Sequence, residues 1–233
     1  MEYLINRTSL HEVGYRYVLA GSNDSRGVRV AVIYYPYTFH LLGSQSFGLS
    51  RQWLRKRRFT PTRDILHVWG EIPTFDTLDV FALHLPSKLG AKEASIKRQA
   101  ILQVLRQYVD SVRSVRRNPR IVIAGDFNDR PHRPFLGFRN LMQKRKLGSY
   151  KFHGVWNWID QIWINDELDR HAYQAYQSVK ALRLPLLLEG DEKYGGEKPF
   201  RTYYGPAYHG GFSDHLPVVI HLQLDTLDRN KRY

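Results

Sequence analysis

Apolar residues follow two patterns along this chain: short runs with the spacing of strands, and one long stretch with the spacing of a helix. From Ala91 to Val115 they recur every three or four positions, while Lys and Arg occupy the other face. This stretch predicts an amphipathic helix, which Asn118-Pro119 ends. The short runs are rich in β-branched and aromatic residues and predict strands at 29–35, 64–72, 78–85, 120–124, 158–165 and 216–224.

The segments between these runs contain no internal repeat and no low-complexity tract. Residues 190–212 combine aromatic residues with glycines, a composition that favours a long ordered loop over an interdomain linker. Strands and a long helix in mixed order are typical of an α/β protein. We therefore expect one α/β domain over residues 1–224 and a polar C-terminal tail at 225–233.

Composition and charge narrow the class of protein further. The 233 residues are 42% hydrophobic and 13% aromatic, which is enough for a buried core and excludes wholesale disorder. The absence of cysteine excludes disulfides, thiolate metal sites and cysteine nucleophiles. No apolar run approaches the roughly 20 residues of a membrane span, and no signal-peptide pattern is visible, which leaves localisation open. The net charge of +13 favours a polyanionic partner, although such a charge also simply keeps proteins soluble.

Two motifs carry side chains suited to phosphate chemistry. The strand at 120–124 leads into Gly125-Asp126-Phe127-Asn128, where Asp126 offers a base or cation ligand and Asn128 a neutral hydrogen-bond donor. Ser213-Asp214-His215 precedes the last predicted strand, and an Asp next to a His can bind a cation and place an imidazole against a phosphate. Taken alone, the first motif is equally typical of a strand-to-loop turn, and the second is too short to be specific.

Two further polar residues lie within predicted strands. His84 is near the end of the strand at 78–85, where a lone histidine is more often a hydrogen-bonded structural residue than a catalyst. Asp160 interrupts the apolar strand at 158–165. A carboxylate in that position needs a partner that offsets its loss of hydration, and a histidine is a natural one.

The order of these pieces resembles the endonuclease/exonuclease/phosphatase superfamily of DNase I-like proteins. The matching segments, in the family's order, are Leu83-His84-Leu85, Gly125-Asp126-Phe127-Asn128, Ile159-Asp160 and Ser213-Asp214-His215. Segments 148–151, 156–162 and 198–203 resemble a bacterial branch of it, and the resemblance spans about residue 3 to residue 224. It implies a four-layer α/β sandwich of two mixed sheets flanked by helices. It also implies hydrolysis of a phosphoester, with nuclease or phosphodiesterase activity favoured over phosphatase activity.

The resemblance further implies a role for each matching side chain. Asp126 would orient or deprotonate the attacking water, and Asn128 would help to hold the nucleophile and the transition state. His215, oriented by Asp160, would contact the phosphate. His84 would face the scissile phosphate from the opposite wall of the cleft, and the substrate would be nucleic acid or another phosphoester.

The cation site is where the sequence departs from this family. Asp214 would help to bind Mg²⁺ or Mn²⁺, but family members also carry a metal-binding Glu after an N-terminal strand, a helix and a second strand. Here Met1-Glu2-Tyr3-Leu4 aligns with the helix after that Glu, and Glu2 is expected to be an ordinary surface residue. We therefore expect the first strands and the principal metal carboxylate to be missing and the chain to have little or no metal-dependent activity. A misplaced start, a non-catalytic remnant and a homodimer that covers the open sheet edge are the competing explanations.

Basic and aromatic side chains outside the motifs are candidates for substrate binding. Cations can meet phosphates and rings can stack on bases in such a cleft, and the candidates are Arg26, Lys151, Arg201 and Tyr203. Any one of them alone is more typical of loop bracing or packing. The rival interpretation of the whole sequence is a non-catalytic protein that binds nucleic acid or phosphorylated ligands.

Overall fold

The computed structural model describes residues 1–224 except 23, 25, 75, 89–90, 130–134, 143–147 and 174–178, and the tail expected at 225–233 lies outside the described residues. The helices are α1 (Glu2–Asn6), α2 (Ser9–Val13), α3 (Arg51–Arg57), α4 (Ala91–Val115) and α5 (Asp166–His171), with a 3₁₀ turn at Pro185–Leu187. The strands are β1 (Arg16–Leu19), β2 (Ala31–Tyr34), β3 (His40–Phe47), β4 (Ile65–Glu71), β5 (Thr77–His84), β6 (Arg120–Asp126), β7 (Phe138–Asn140), β8 (Tyr150–Phe152), β9 (Val155–Asn157), β10 (Asp160–Asn165), β11 (Ala172–Tyr173), β12 (Lys180–Ala181), β13 (Leu188–Gly190), β14 (Glu197–Pro199), β15 (Tyr203–Tyr204), β16 (Ala207–Tyr208), β17 (Val218–Val219) and β18 (Gln223–Leu224).

A six-stranded mixed sheet in the order β3-β4-β5-β6-β10-β7 forms the centre of the molecule. Within it β5 and β6 are parallel, and the other neighbours are antiparallel. A parallel pair needs a crossover connection, which α4 supplies because it lies between β5 and β6 in the chain. The carboxyl ends of β5 and β6 therefore meet at one edge of the sheet, where the antiparallel β10 begins.

Helices α3 and α4 cover one face of this sheet. Because side chains alternate along a strand, β5 sends Phe81 and Leu83 to this face, where they join Leu105 and Val109 of α4 in one buried cluster. Leu54 of α3 is part of the same cluster. The amphipathic pattern that predicts α4 is thus satisfied by burial against the sheet.

Two-stranded ribbons cover the opposite face. Leu66 and Val68 of β4 form a buried cluster with apolar residues in and beside the β1–β2 ribbon. Val122 of β6 and Ile164 of β10 form another, against which Val218 of the β12–β17 ribbon packs. The result is the predicted α/β fold with a mixed sheet, and the second β layer consists of ribbons.

Most elements predicted from the sequence are present. The helix has the predicted bounds, and the strands at 29–35, 64–72, 78–85, 120–124 and 158–165 correspond to β2, β4, β5, β6 and β10. The single strand predicted at 216–224 is wrong, because β17 pairs with β12 while β18 pairs with β11, and the chain leaves the ladder in between. The loop predicted at 190–212 contains β14 and the β15–β16 hairpin.

Strands β1 and β3 are absent from the sequence prediction, as are β7, β8, β9 and the short strands β11 to β16. Strand β3 is an edge strand whose burial alternates weakly along a polar sequence, so its pattern does not stand out. Glu2 lies in α1 with an exposed side chain, as expected. Among the helices of the described residues, none combines the length and apolar character that crossing a membrane requires.

Candidate active site

The candidate site lies where the central strands of the sheet meet at one edge. In the parallel pair β5–β6, His84 is opposite Asp126, and in the antiparallel pair β6–β10, Asp160 is opposite Asp126. This register places three side chains predicted from the sequence next to one another. His84 Nε2 lies 3.4 Å from Asp126 Oδ2.

A glycine permits the close approach of β5 and β6. Gly125 has a φ of 142°, and a Cβ at this position would lie 1.9 Å from the carbonyl oxygen of Leu83. Any side chain would push the two strands apart at the point where His84 and Asp126 leave them. The backbone therefore requires the glycine that precedes Asp126 in the motif.

Asn128 fixes the carboxylate of Asp126. The Asn128 backbone N–H donates to Asp126 Oδ1 at 2.7 Å, and the side-chain Nδ2 donates to Asp126 Oδ2 and to the Leu85 carbonyl oxygen, both at 2.9 Å. Asn128 has a φ of 50°, a left-handed conformation that Asn adopts more readily than most residues. The strand-to-loop turn is therefore present, and its own side chains hold the Asp126 carboxylate at the strand end.

His215 and Asp160 form a hydrogen-bonded pair. His215 Nδ1 lies 2.7 Å from Asp160 Oδ2, and that oxygen also accepts a hydrogen bond from Ser149 Oγ. A β-bridge between Tyr150 and His215, and a 2.8 Å bond from the Leu216 N–H to the Ser149 carbonyl oxygen, bring the motif at 213–215 to the site. Because Asp160 engages Nδ1, Nε2 is the ring nitrogen that could meet a phosphate.

The ionisable groups of the site have shifted pKa values. Burial and the charge of Asp160 raise the pKa of Asp126 to about 6. Burial and the positive charges of Arg63 and His215 lower the pKa of His84 to about 4, so His84 is neutral at physiological pH. Burial alone lowers the pKa of His215, but the hydrogen bond and charge of Asp160 outweigh it, and the net pKa is raised.

Arg63 is a residue of this site that no sequence motif indicated. Its charge acts on both Asp126 and His84, and it lines a cavity of about 350 Å³ together with Arg26 and residues of the loop after β5. Strand β4 runs antiparallel to β5, so Arg63, two residues before β4, lies at the end of the sheet where β5 ends. Only the strand order would have revealed this placement, and the sequence pattern does not supply it.

The three predicted substrate-binding cations, Arg26, Lys151 and Arg201, all make ion pairs with carboxylates. Arg26 donates from Nε and Nη2 to the two oxygens of Asp24 at 3.0 and 2.8 Å, although its charge still reaches His84. The ammonium of Lys151 is buried 2.7 Å from the carboxylate of Asp191. Arg26 therefore lies at the rim of the site, whereas the ammonium of Lys151 is paired with Asp191.

The remaining predicted residues lie in the segment before and around His215. Asp214 Oδ2 is 3.2 Å from Arg201 Nη2, and the Asp214 side chain is half exposed. Tyr203 is exposed on β15 and contacts Tyr208 across the β15–β16 hairpin. The structure does not bring Tyr203 into contact with the carboxylates of the site.

Three side chains have the geometry to hold a metal ion. Asp126, Asp160 and His215 each offer one ligand atom, and these atoms lie within 4.8 Å of one another. Carboxylate oxygens suit Mg²⁺ and Mn²⁺, and an imidazole nitrogen is acceptable to Mn²⁺. A cation between the carboxylates would relieve the repulsion that raises the pKa of Asp126. Asp214, the metal ligand predicted from the sequence, is not part of this group of described residues.

The mixed sheet, its covering helices and the carboxylate–imidazole group at the strand ends define an α/β protein with a hydrolase-like fold. The sequence profile of the Endonuclease/Exonuclease/phosphatase family matches residues 1–138 and 135–224, and the chain belongs to that family. Members of this superfamily are phosphoester hydrolases. A search of the curated proteins finds no match to the sequence.

Solved structures share the fold at low sequence identity. Truncated TDP2 from Caenorhabditis elegans is 17% identical with a TM-score of 0.57, and the match covers 90% of this chain and 75% of that one. The mannosyl-6-phosphatase Bt3783 of Bacteroides thetaiotaomicron is 19% identical with a TM-score of 0.55, covering 92% and 82%. TDP2 from D. rerio, complexed with a single-strand DNA product, is 17% identical with a TM-score of 0.55, covering 93% and 80%.

Proposed function

We propose that this chain is a metal-dependent phosphoester hydrolase that cleaves phosphodiesters, with nucleic acid as the favoured substrate. The observation that carries the proposal is the group of Asp126, Asp160 and His215, whose ligand atoms lie within 4.8 Å of one another. Membership of a family of phosphoester hydrolases supports the reaction class. The net charge of +13 and the DNA-bound structural neighbour support a polyanionic substrate.

Asp126 and Asp160 would hold Mg²⁺ or Mn²⁺ through their carboxylate oxygens, and His215 would stay hydrogen-bonded to Asp160 beside them. When bound, the cation would neutralise charge on the phosphate oxygens. Asp214 would act through His215 instead, since its negative charge contributes to the raised pKa of that imidazole.

Asp126 is the group we assign to the attacking water. Asn128 holds its carboxylate with two hydrogen bonds, and the pKa of about 6 belongs to the metal-free chain, since a bound cation would favour the ionised carboxylate further. At neutral pH this carboxylate is ionised, so it can orient a water molecule and accept its proton.

The two histidines would act on opposite parts of the phosphate group. The raised pKa of His215 favours the imidazolium, which would stabilise negative charge on the phosphoryl oxygens while Asp160 holds its Nδ1. The lowered pKa of His84 keeps that ring neutral, so it would offer a hydrogen bond to the leaving group without adding positive charge that repels the cation.

Hydrolysis of defined substrates tests the proposal. We expect the purified chain to cleave a single-stranded oligonucleotide and bis(p-nitrophenyl) phosphate with Mn²⁺ or Mg²⁺, to stop in EDTA, and to recover when the cation is restored. Cleavage of p-nitrophenyl phosphate but of neither diester would make the chain a phosphomonoesterase and contradict the proposal. Binding of the oligonucleotide without cleavage at any metal concentration would instead establish the non-catalytic binding protein.

A further inference from the structure

Four aromatic side chains form a row that starts next to His215. This aromatic row consists of Tyr150, Phe152, His153 and Tyr194. The ring centroids of His215 and Tyr150 are 4.8 Å apart, and those of Tyr150 and Phe152 are 6.3 Å apart with planes 14° from parallel. Phe152 and His153 stack at 4.1 Å, and Tyr194 follows His153 at 5.8 Å. The aromatic row therefore leads from the candidate active site along the β8–β9 hairpin.

The outer part of the aromatic row is open to solvent. Phe152 is 55% exposed and Tyr194 is 44% exposed, and Val155 on the same hairpin is 62% exposed. Exposed aromatic side chains that lie next to one another, rather than singly, mark binding surfaces more often than packing. Their position beside His215 puts this surface next to the phosphate that the proposed reaction requires.

The hairpin holds the aromatic row in a fixed arrangement. Gly154 turns the hairpin with a φ of 80°, and a Cβ there would lie 3.0 Å from the Cβ of Tyr194. The buried Lys151 ammonium bonds the Asp191 carboxylate and the Gly195 carbonyl oxygen, both at 2.7 Å, so it anchors the segment that carries Tyr194. Lys151 is thus a positioning residue for Tyr194, and the surface is formed before any ligand binds.

Positive charge accompanies these rings. The Lys193 ammonium lies 5.1 Å from the centre of the exposed Tyr194 ring. A cation beside an exposed ring favours a ligand that carries both flat aromatic groups and negative charge. An acyl chain would use the rings but not the cation, and a sugar phosphate would use the cation but not the rings.

We infer that the aromatic row is one wall of the substrate groove and that it stacks the unpaired bases of a single-stranded nucleic acid next to the phosphate at His215. This inference rests on the proposed function and names its substrate class. Paired bases have both faces covered by their neighbours in the duplex, so the aromatic row would bind single strands in preference to double strands.

Binding of two matched DNA strands tests the inference without any need for cleavage. One is a fluorescently labelled single strand of about 12 nucleotides, and the other has the same length but lacks every base, so that both carry the same phosphates. Affinities are measured by fluorescence anisotropy in EDTA for the unaltered chain and for the double variant Phe152→Ala/Tyr194→Ala. We expect the double variant to lose about tenfold or more in affinity for the base-bearing strand, since stacking contributes about 1–3 kcal/mol per base. We expect its affinity for the abasic strand to change by less than about twofold, because the phosphate contacts are retained.

Tyr37→Ala is the matched control, because Tyr37 is 83% exposed and lies in the turn between β2 and β3. Its affinity for both strands should equal that of the unaltered chain. A double variant that binds both strands as well as the unaltered chain, or that weakens both equally, would overturn the inference. Photo-crosslinking of a 5-bromouracil strand, read out as labelled Tyr150, Phe152 or Tyr194 peptides, tests the same contact in the unaltered chain, and labelling elsewhere alone would also overturn it.

The two proposals fail in different ways. Base-dependent binding through the aromatic row without hydrolysis would contradict the proposed function but support base stacking on the aromatic row. Hydrolysis of both diesters, with an affinity that does not depend on the bases, would contradict base stacking on the aromatic row but support the proposed function.

Discussion

Asp126 is held by two hydrogen bonds from Asn128 and opposed by burial and by the charge of Asp160. Its pKa in the folded chain is about 6, against an ordinary value of 3.8. Well below pH 3.8 the Asp126 carboxyl is protonated in both the folded and the unfolded chain, so its pKa shift does not change the free energy of unfolding. As the pH rises from 3.8 to about 6, Asp126 ionises in the unfolded chain before it ionises in the folded chain. The folded state therefore loses stability over this pH range, and the loss is complete above pH 6.

The substitution Asp126→Asn should therefore stabilise the metal-free chain while it removes the proposed chemistry. Each pH unit of pKa difference corresponds to about 1.4 kcal/mol, so the gain near pH 8 should be about 1–3 kcal/mol. Denaturant unfolding in EDTA measures it at several pH values. The gain should vanish near pH 4, and a variant that is less stable than the unaltered chain near pH 8 would show that the buried charge is not a burden on the fold.

Residue types at strand ends made most of the candidate site predictable. His84, Asp126 and Asp160 come together because each belongs to one of three adjacent strands, and His215 joins them through Asp160. Arg63 could not be found this way, since its placement depends on β4 running antiparallel to β5. The sequence also does not show whether a lysine binds a ligand or pairs with a buried carboxylate. Lys151 pairs with the carboxylate of Asp191.

At the scale of elements, a buried ionic group connects α4 to the sheet. Asp79 of β5 is fully buried, and its carboxylate lies 2.7 Å from His67 Nε2 of β4 and 2.6 Å from Arg116 Nη1, just after α4 ends. The ring of His67 also stacks on Phe81 at 4.2 Å. This group fixes the end of the crossover helix that the parallel pair β5–β6 requires.

Asp79→Ala should destabilise the chain by about 3–5 kcal/mol, because it leaves a buried histidine and an arginine without their carboxylate. The unfolding midpoint in urea measures the effect. Asp110→Ala removes an exposed carboxylate from the same helix and should change stability by less than about 0.5 kcal/mol. Equal stabilities of the two variants would mean that the ionic group does not anchor α4.

Element prediction succeeded where burial gave the sequence a clear period. The helix Ala91–Val115 has one apolar face over its whole length, and the central strands have runs of buried residues. Strand β3 lies at an edge, where solvent-facing polar residues dilute the pattern. The run at 216–224 is mostly apolar but changes its strand partner from β12 to β11, and the spacing of apolar residues does not indicate which strand is the partner.

At the scale of the whole molecule, a basic chain brings two carboxylates together. The chain carries a net charge of +13, yet the strand ends of the central sheet place Asp126 beside Asp160. A basic protein attracts a polyanion, while the two carboxylates are suited to a divalent cation that would meet it. We infer that this combination hydrolyses phosphoesters.

The most direct measurement of that claim is the rate at which the unaltered chain, Asp126→Asn and Asp110→Asn cleave a single-stranded oligonucleotide with Mn²⁺. Asp110→Asn is the matched control, since it makes the same chemical change at an exposed position of α4. We expect the control to cleave at the unaltered rate and Asp126→Asn to be slower by about 100-fold or more. Cleavage by Asp126→Asn at the unaltered rate, or no cleavage by any of the three proteins with Mn²⁺ or Mg²⁺, would contradict that claim.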